Sequence, residues 1–257
     1  MNEKIVVYTA IFGSYSGLIE QPRLKNVDYI CYTDQDLKSK TWKVIKVNPP
    51  VKDDNTRSNR YYKLLPHKHL KNYKTSVYID SNFLILKDFT QFIQQNLKTH
   101  SLLCFDHNQT KSDKRDCIYK EHKGILDFAK SNGLLKDNKE VMQKQMNRFI
   151  SEGYPSNNGL ITAGVLIRNH FDNKVIELMD YWWGIVKNGS KRDQLSFNYA
   201  VWKLNFNNFS YLEGDIRTGN QWFRHMSHRK NYTFKIFKIK VQNKIKSIKL
   251  FFIGNQK

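Results

Sequence analysis

The run Lys4-Ile5-Val6-Val7-Tyr8-Thr9-Ala10-Ile11-Phe12 is apolar almost without a break. A strand with one wet face alternates apolar and polar residues. An unbroken run belongs to a strand covered on both faces, as where helices flank a sheet. Gly159 to Arg168 has the same character, led in by Pro155-Ser156-Asn157-Asn158. Between them lie two more β-prone runs, Val27 to Asp34 and Trp42 to Val47, the latter closed by Asn48-Pro49-Pro50. Asp53, Asp54 or Thr56 can then cap a helix, and in it Arg57, Arg60 and Leu64 share a face. The order strand, loop, strand, strand, helix, strand predicts an α/β sheet.

Such sheets bind ligands outside the carboxyl ends of their strands. Two acidic residues fall at such ends. Asp34 closes the run that begins at Val27, and Asp80 ends the first half of Thr75 to Leu86, where two apolar runs flank Asp80-Ser81-Asn82. The oxygen atoms of an Asp-x-Asn can supply part of the shell of Mg²⁺ or Mn²⁺, which in turn holds phosphates. The same tripeptide also suits an Asx turn between strands. After the first strand, Gly13-Ser14-Tyr15-Ser16-Gly17 is a flexible turn where backbone can approach a ligand closely.

The rest of the chain continues the α/β pattern. Residues 88 to 100 suit a helix, and Leu102 to Phe105 a short strand ending at Asp106-His107. Residues 109 to 123 are polar and read as a mobile surface segment. Ile125 to Phe149 holds two helical patterns split at Asn132-Gly133, Val175 to Val186 is a further helix, and Ser190 to Ser196 opens another.

Lys and Arg number 43 against 23 Asp and Glu, a formal charge of +20. A field of that sign favours polyanions: nucleic acid, nucleotide phosphates or an anionic membrane surface. Cys31, Cys104 and Cys117 are far apart, which argues against a zinc module or a disulfide framework and suits a reducing compartment. The N-terminal apolar run reads as a strand and not a signal peptide, and no run approaches the roughly 18 apolar residues of a spanning helix. A cytoplasmic protein is expected, touching a membrane at most from that side. From Asn231 to Lys257 there are seven Lys and no acidic residue, with Phe234, Phe237, Val241, Ile245, Ile248 and Phe252 at helical spacing. This basic amphipathic tail suits an anionic leaflet, or equally a helix packed on the body of the protein.

Several motifs in order resemble one family. They are Tyr8-Thr9-Ala10-Ile11-Phe12-Gly13-Ser14-Tyr15, Tyr32-Thr33-Asp34, Arg57-x-x-Arg60-x-x-Lys63-x-x-Pro66-His67, Tyr78-Ile79-Asp80-Ser81-Asn82 and Asp193-Gln194-x-Ser196. Together they are similar to the TOD1/MUCI70-type glycosyltransferase-like domains of bacteria and plants, over roughly residues 5 to 230. The resemblance implies a GT-A-like (Rossmann-like) fold, a mixed sheet flanked by helices over residues 1 to 230. Its nucleotide-sugar-binding half would span about 1 to 107, its acceptor half about 108 to 230, and the basic tail 231 to 257 would follow.

The resemblance also implies an enzyme, a glycosyltransferase moving a sugar from a nucleotide-sugar donor to a cell-surface glycan or glycolipid acceptor. Lipopolysaccharide and capsule are plausible acceptors. By this likeness Asp80-Ser81-Asn82 stands where related enzymes carry an Asp-x-Asp metal motif, with Asn82 bringing no charge. The metal set would be Asp80, Asn82 and His225, with His228 the rival of His225 and Mn²⁺ or Mg²⁺ the ion. Arg57, Arg60 and Lys63 would stabilise the diphosphate, Tyr8, Thr9 and Ala10 would line the base, and Asp34 would lie near base or ribose. Ser81 completes the donor set. Asp193 is the candidate general base or orienter of the acceptor hydroxyl; a helix cap is its other reading. Asn157, Asn158, Gly164 and Gln194 would shape the acceptor side. The rival class is a basic nucleic-acid-binding protein without catalysis, but no RNA or DNA motif is present.

Overall fold

The computed structural model describes residues 4–228 and Tyr232. The basic tail expected at 231–257 therefore lies outside the described residues, Tyr232 apart. Seven strands form the main sheet: β1 (Ile5–Ile11), β2 (Val27–Thr33), β3 (Lys43–Lys46), β4 (Thr75–Ile79), β6 (Leu102–Asp106), β7 (Ile161–Asn169) and β8 (Phe209–Leu212). Their order is β3-β2-β1-β4-β7-β6-β8. Pairing is parallel from β3 through β4 and between β6 and β8, whereas β7 runs antiparallel to both its neighbours. This is the α/β, GT-A-like mixed sheet flanked by helices that the resemblance implied.

The unbroken apolar run of β1 is buried at every position. Alternate residues feed opposite layers, with Val6, Tyr8 and Ala10 in one apolar cluster and Ile5, Val7 and Ile11 in the other. The helices α1 (Asn55–Leu64), α4 (Ile118–Asn132), α5 (Lys139–Ser151) and α6 (Asn173–Asn188) surround the sheet with α2 (Pro66–His69), α3 (Thr90–Asn96) and α7 (Phe197–Lys203). Asp54 caps α1, its carboxylate accepting from Arg57 N–H at 2.9 Å. Of the three capping residues suggested by the sequence, this one does the work because its side chain reaches back over the first turn.

Two expectations change. Residues 109 to 123 are not a loop throughout: α4 starts at Ile118, and Cys117, Ile118 and Glu121 are buried. A second, small sheet pairs β5 (Phe83–Ile85) with β9 (Phe223–His225), placing Phe83 opposite His225. The turn Asp80-Ser81-Asn82 is thus where the chain leaves the large sheet for the small one.

Candidate active site

Because β1, β2 and β4 are parallel, their carboxyl ends share one edge, and antiparallel β7 begins there. Asp34 stands at this edge, accepting from Gly13 N–H through both carboxylate oxygens at 3.2 and 3.1 Å. That bond fixes the turn after β1. Gly13 has φ +69°, and a Cβ there would lie 2.0 Å from Asn55 Nδ2, so only glycine fits.

Asp80 is held from three directions. Its N–H donates to Gly164 O of β7 at 2.9 Å, and its carbonyl accepts from Phe83 N–H at 3.0 Å. Its carboxylate accepts from Tyr78 Oη at 2.9 Å and is about a third exposed.

Behind Asp80, the last two turns of α1 aim two cations at the strand ends. Lys63 Nζ lies 2.6 Å from Asp193 Oδ2 and 3.9 Å from Asp80 Oδ1, and Arg60 Nε lies 3.0 Å from Asp193 Oδ2. Asp193 opens the 3-10 turn Asp193–Leu195 between α6 and α7, and Trp182 Nε1 donates to its carbonyl at 3.0 Å. Burial raises the Asp193 carboxyl, but Arg60 and Lys63 outweigh it and hold the group far below the usual carboxylate range. Burial lowers Lys63 against the pull of Asp193 and Asp80. It also opposes charge on Arg60, where the same two carboxylates prevail and the net shift is upward.

This setting corrects the expected role of Asp193. A general base needs proton affinity near the working pH and a free face toward substrate. Asp193 has neither, being 3% exposed and engaged by two cations. It is a positioning residue that holds Arg60 and Lys63 at the edge.

Other expected residues fall elsewhere. Arg57 turns away from the edge and donates from Nε to Val186 O (3.0 Å) and from Nη2 to Gly189 O (2.5 Å), capping α6. Tyr8 is fully buried. Its hydroxyl donates to Lys63 O at 2.8 Å and accepts from Arg168, so its side chain supports α1 and does not line a base. Thr9 and Ala10 are buried in the same strand and present no side-chain surface either. Gly164 lies beside Asp80 and against Phe83, at the donor end of β7 and not on an acceptor surface.

The turn residues do meet the C-terminal segment. Asn82, 1% exposed, donates from Nδ2 to Met226 O at 2.7 Å, and the same nitrogen is 3.0 Å from His225 Nε2. Ser81 is half-buried between Asp80 and Asn82. His228 feels Asp80: burial lowers its proton affinity while the carboxylate raises it. Gln194 donates from Nε2 to Ile161 O at 2.7 Å, and Asn157 and Asn158 lie exposed in the turn that leads into β7.

Sequence reasoning overlooked Tyr15 and Arg168. Tyr15, 72% exposed, packs on His228 with ring centroids 4.6 Å apart, at the mouth of the site. Its place inside a glycine-flanked turn was the available signal. Arg168 is fully buried and donates from Nη1 to Lys63 O at 3.0 Å. An arginine closing an apolar strand could have flagged it.

An open α/β sheet whose carboxyl edge gathers Arg60, Lys63 and Asp80 defines a ligand-binding domain of the kind that takes charged, phosphorylated molecules. The chain belongs to the TOD1/MUCI70 glycosyltransferase-like domain family, whose model matches residues 24–228. No curated protein matches its sequence. Among solved structures it is similar to the bifunctional glycosyltransferase WbbM, at 13% identity over 82% of this chain with a TM-score of 0.47. The chain spans 39% of that protein's length. It is also similar to the mannosyltransferase Ktr4p of S. cerevisiae, at 10% identity over 88% of this chain and 71% of that one, TM-score 0.46. An active-site mutant of LgtC matches at 12% identity over 80% and 72% of the two chains, TM-score 0.42.

Proposed function

We propose that the protein transfers a sugar from a nucleotide-sugar donor to a glycan or glycolipid acceptor, with the donor diphosphate at the Asp80 edge. The observation that carries this reading is the pair Arg60 and Lys63, held by Asp193 and aimed at the strand end that bears Asp80. Departure of a nucleoside diphosphate develops negative charge, and preorganised cations in a site removed from water stabilise it without reorganising. Tyr15 is the exposed ring placed to stack on the base.

A divalent ion suits the same edge. The Asp80 carboxylate, the Asn82 amide and the His225 imidazole form an oxygen-and-nitrogen set fit for Mn²⁺ or Mg²⁺, and Asn82 and His225 already touch. Among the described residues there is no group of three or more His, Cys, Asp or Glu side chains that could hold a metal. With one carboxylate, the set suits an ion bound weakly by the protein and shared with the diphosphate. When bound, that ion supplies Lewis-acid stabilisation of the leaving group.

The protein is further proposed to be cytoplasmic and to touch the inner face of the membrane through the basic segment 231–257. Cell-surface polysaccharide such as lipopolysaccharide or capsule is the proposed destination of the sugar. Isothermal titration with UDP and other nucleoside diphosphates tests the donor reading. Deleting 231–257 should abolish pelleting with anionic liposomes and spare nucleotide affinity.

A further inference from the structure

A second charge cluster lies outside the Asp80–Asp193 network. Arg115, Lys136, Arg192 and Arg217 converge on two carboxylates, Asp113 and Glu121. Arg217 Nη1 is 2.7 Å from Asp113 Oδ1, and Arg115 Nη1 is 2.7 Å from Glu121 Oε2 and 3.3 Å from Asp113 Oδ2. Arg192 Nη2 stands off at 4.0 Å from Glu121 Oε1, and its Nε is buried with no hydrogen-bond acceptor. His107, 3.9 and 4.0 Å from the same carboxylates, is held neutral chiefly by burial and adds no charge near pH 7. Four cations thus face two carboxylates.

The imbalance shows in Lys136. Burial disfavours its charge, and Arg192 and Arg217 disfavour it further, against the pull of Glu121 and Asp113. The cluster is also built at a cost. A Cβ on Gly124, inside α4, would lie 2.7 Å from Arg115 Nη2, so a glycine stands where the guanidinium rests on the helix. Arg192 directly precedes Asp193 and helps to lower its carboxyl, which places the cluster against the site already described.

A network that served only to bind chain to chain would match its charges, because unpaired buried cations are costly. Arginines brought together from three separate segments present planar donor forks that fit a phosphate or a carboxylate. We propose that Arg115, Lys136, Arg192 and Arg217 form a subsite for an anionic group, phosphate or carboxylate, carried by the acceptor. The proposal rests on the glycosyl-transfer reading of the adjoining edge.

The test titrates the full chain with inorganic phosphate and, separately, with glucuronate, each with UDP saturating so that the Arg60–Lys63 edge is filled. At least one anion is expected to bind alongside UDP. Arg217→Gln should weaken it about tenfold, equivalent to about 1.4 kcal/mol, with Arg192→Gln acting in the same direction and Arg217→Lys retaining most of the affinity. The anion that binds more tightly identifies the group the acceptor carries. Absence of binding by both anions overturns the subsite, as does anion binding that Arg217→Gln and Arg192→Gln leave intact. If UDP does not bind, the donor reading fails, and an anion titration sensitive to Arg217 still supports the subsite.

Discussion

Lys63 Nζ lies 2.6 Å from Asp193 Oδ2, and both side chains are almost wholly removed from water. The pair joins the last turn of α1 to the turn after α6, and with Arg60 it sets the charge of the edge at Asp80. A buried pair of this kind is a poor source of net stability, but breaking it from one side leaves a buried charge unpaired. Asp193→Ala, which strands both Lys63 and Arg60, is expected to cost about 3–5 kcal/mol. Urea unfolding at pH 7 measures it, and a loss below about 1 kcal/mol would show that the cations find other partners. Since the folded carboxyl titrates below its unfolded value, its contribution is complete above the unfolded value of about 3.9 and fades only as pH falls below that.

Arg57 and Arg60 should separate cleanly. Arg57→Ala removes two bonds to carbonyls at the end of α6 and should lower stability by about 1–3 kcal/mol without changing nucleoside-diphosphate affinity. Arg60→Gln should weaken that affinity. Equal effects of the two substitutions on UDP binding would contradict the different directions of the two side chains.

His69 and His170 give the protein an acid limb. Burial lowers both to about 4, helped by His67 and Lys68 at His69 and by Arg168 at His170. Groups with depressed folded values bind protons mainly in the unfolded chain. Their stability is therefore present above about 6.5, the unfolded value, and is lost as pH falls toward 4. Melting temperature should drop between pH 7 and pH 4.5, and His170→Asn should flatten that slope; an unchanged slope would exclude His170 as a source.

Tyr15 is exposed, so its ring contributes little to folding. Tyr15→Ala should leave stability within about 0.5 kcal/mol yet weaken nucleotide binding by about 1 kcal/mol or more if the ring stacks on the base. Calorimetry on both quantities decides it; unchanged nucleotide affinity would remove Tyr15 from the site.

The α/β sheet was legible because strands buried on both faces leave unbroken apolar runs, as in β1 and β7. Asp34 and Asp80 were legible as strand-end carboxylates for the same reason. Side-chain direction was not. Three residues apart is close to one helical turn, so Arg57 and Lys63 still differ by about 120° around α1, and the first reaches α6 while the last reaches Asp193. Tyr8 looked like a lining residue, but an apolar strand covered on both faces has nowhere to place a tyrosine except the core. The start of α4 was hidden in a polar segment because Glu121 is buried by Arg115, a partner that composition does not reveal. The short strands β8 and β9 carry too few residues to show a period, and their pairing is long-range.

The account turns on the Asp80 edge holding a nucleoside diphosphate. The most direct measurement is titration of UDP and other nucleoside diphosphates into the wild-type chain and Asp80→Asn, with and without Mn²⁺. The account predicts binding by the wild type, tightened by Mn²⁺, with that tightening lost in Asp80→Asn. Failure of every nucleoside diphosphate to bind, in the presence or absence of Mn²⁺, would contradict it.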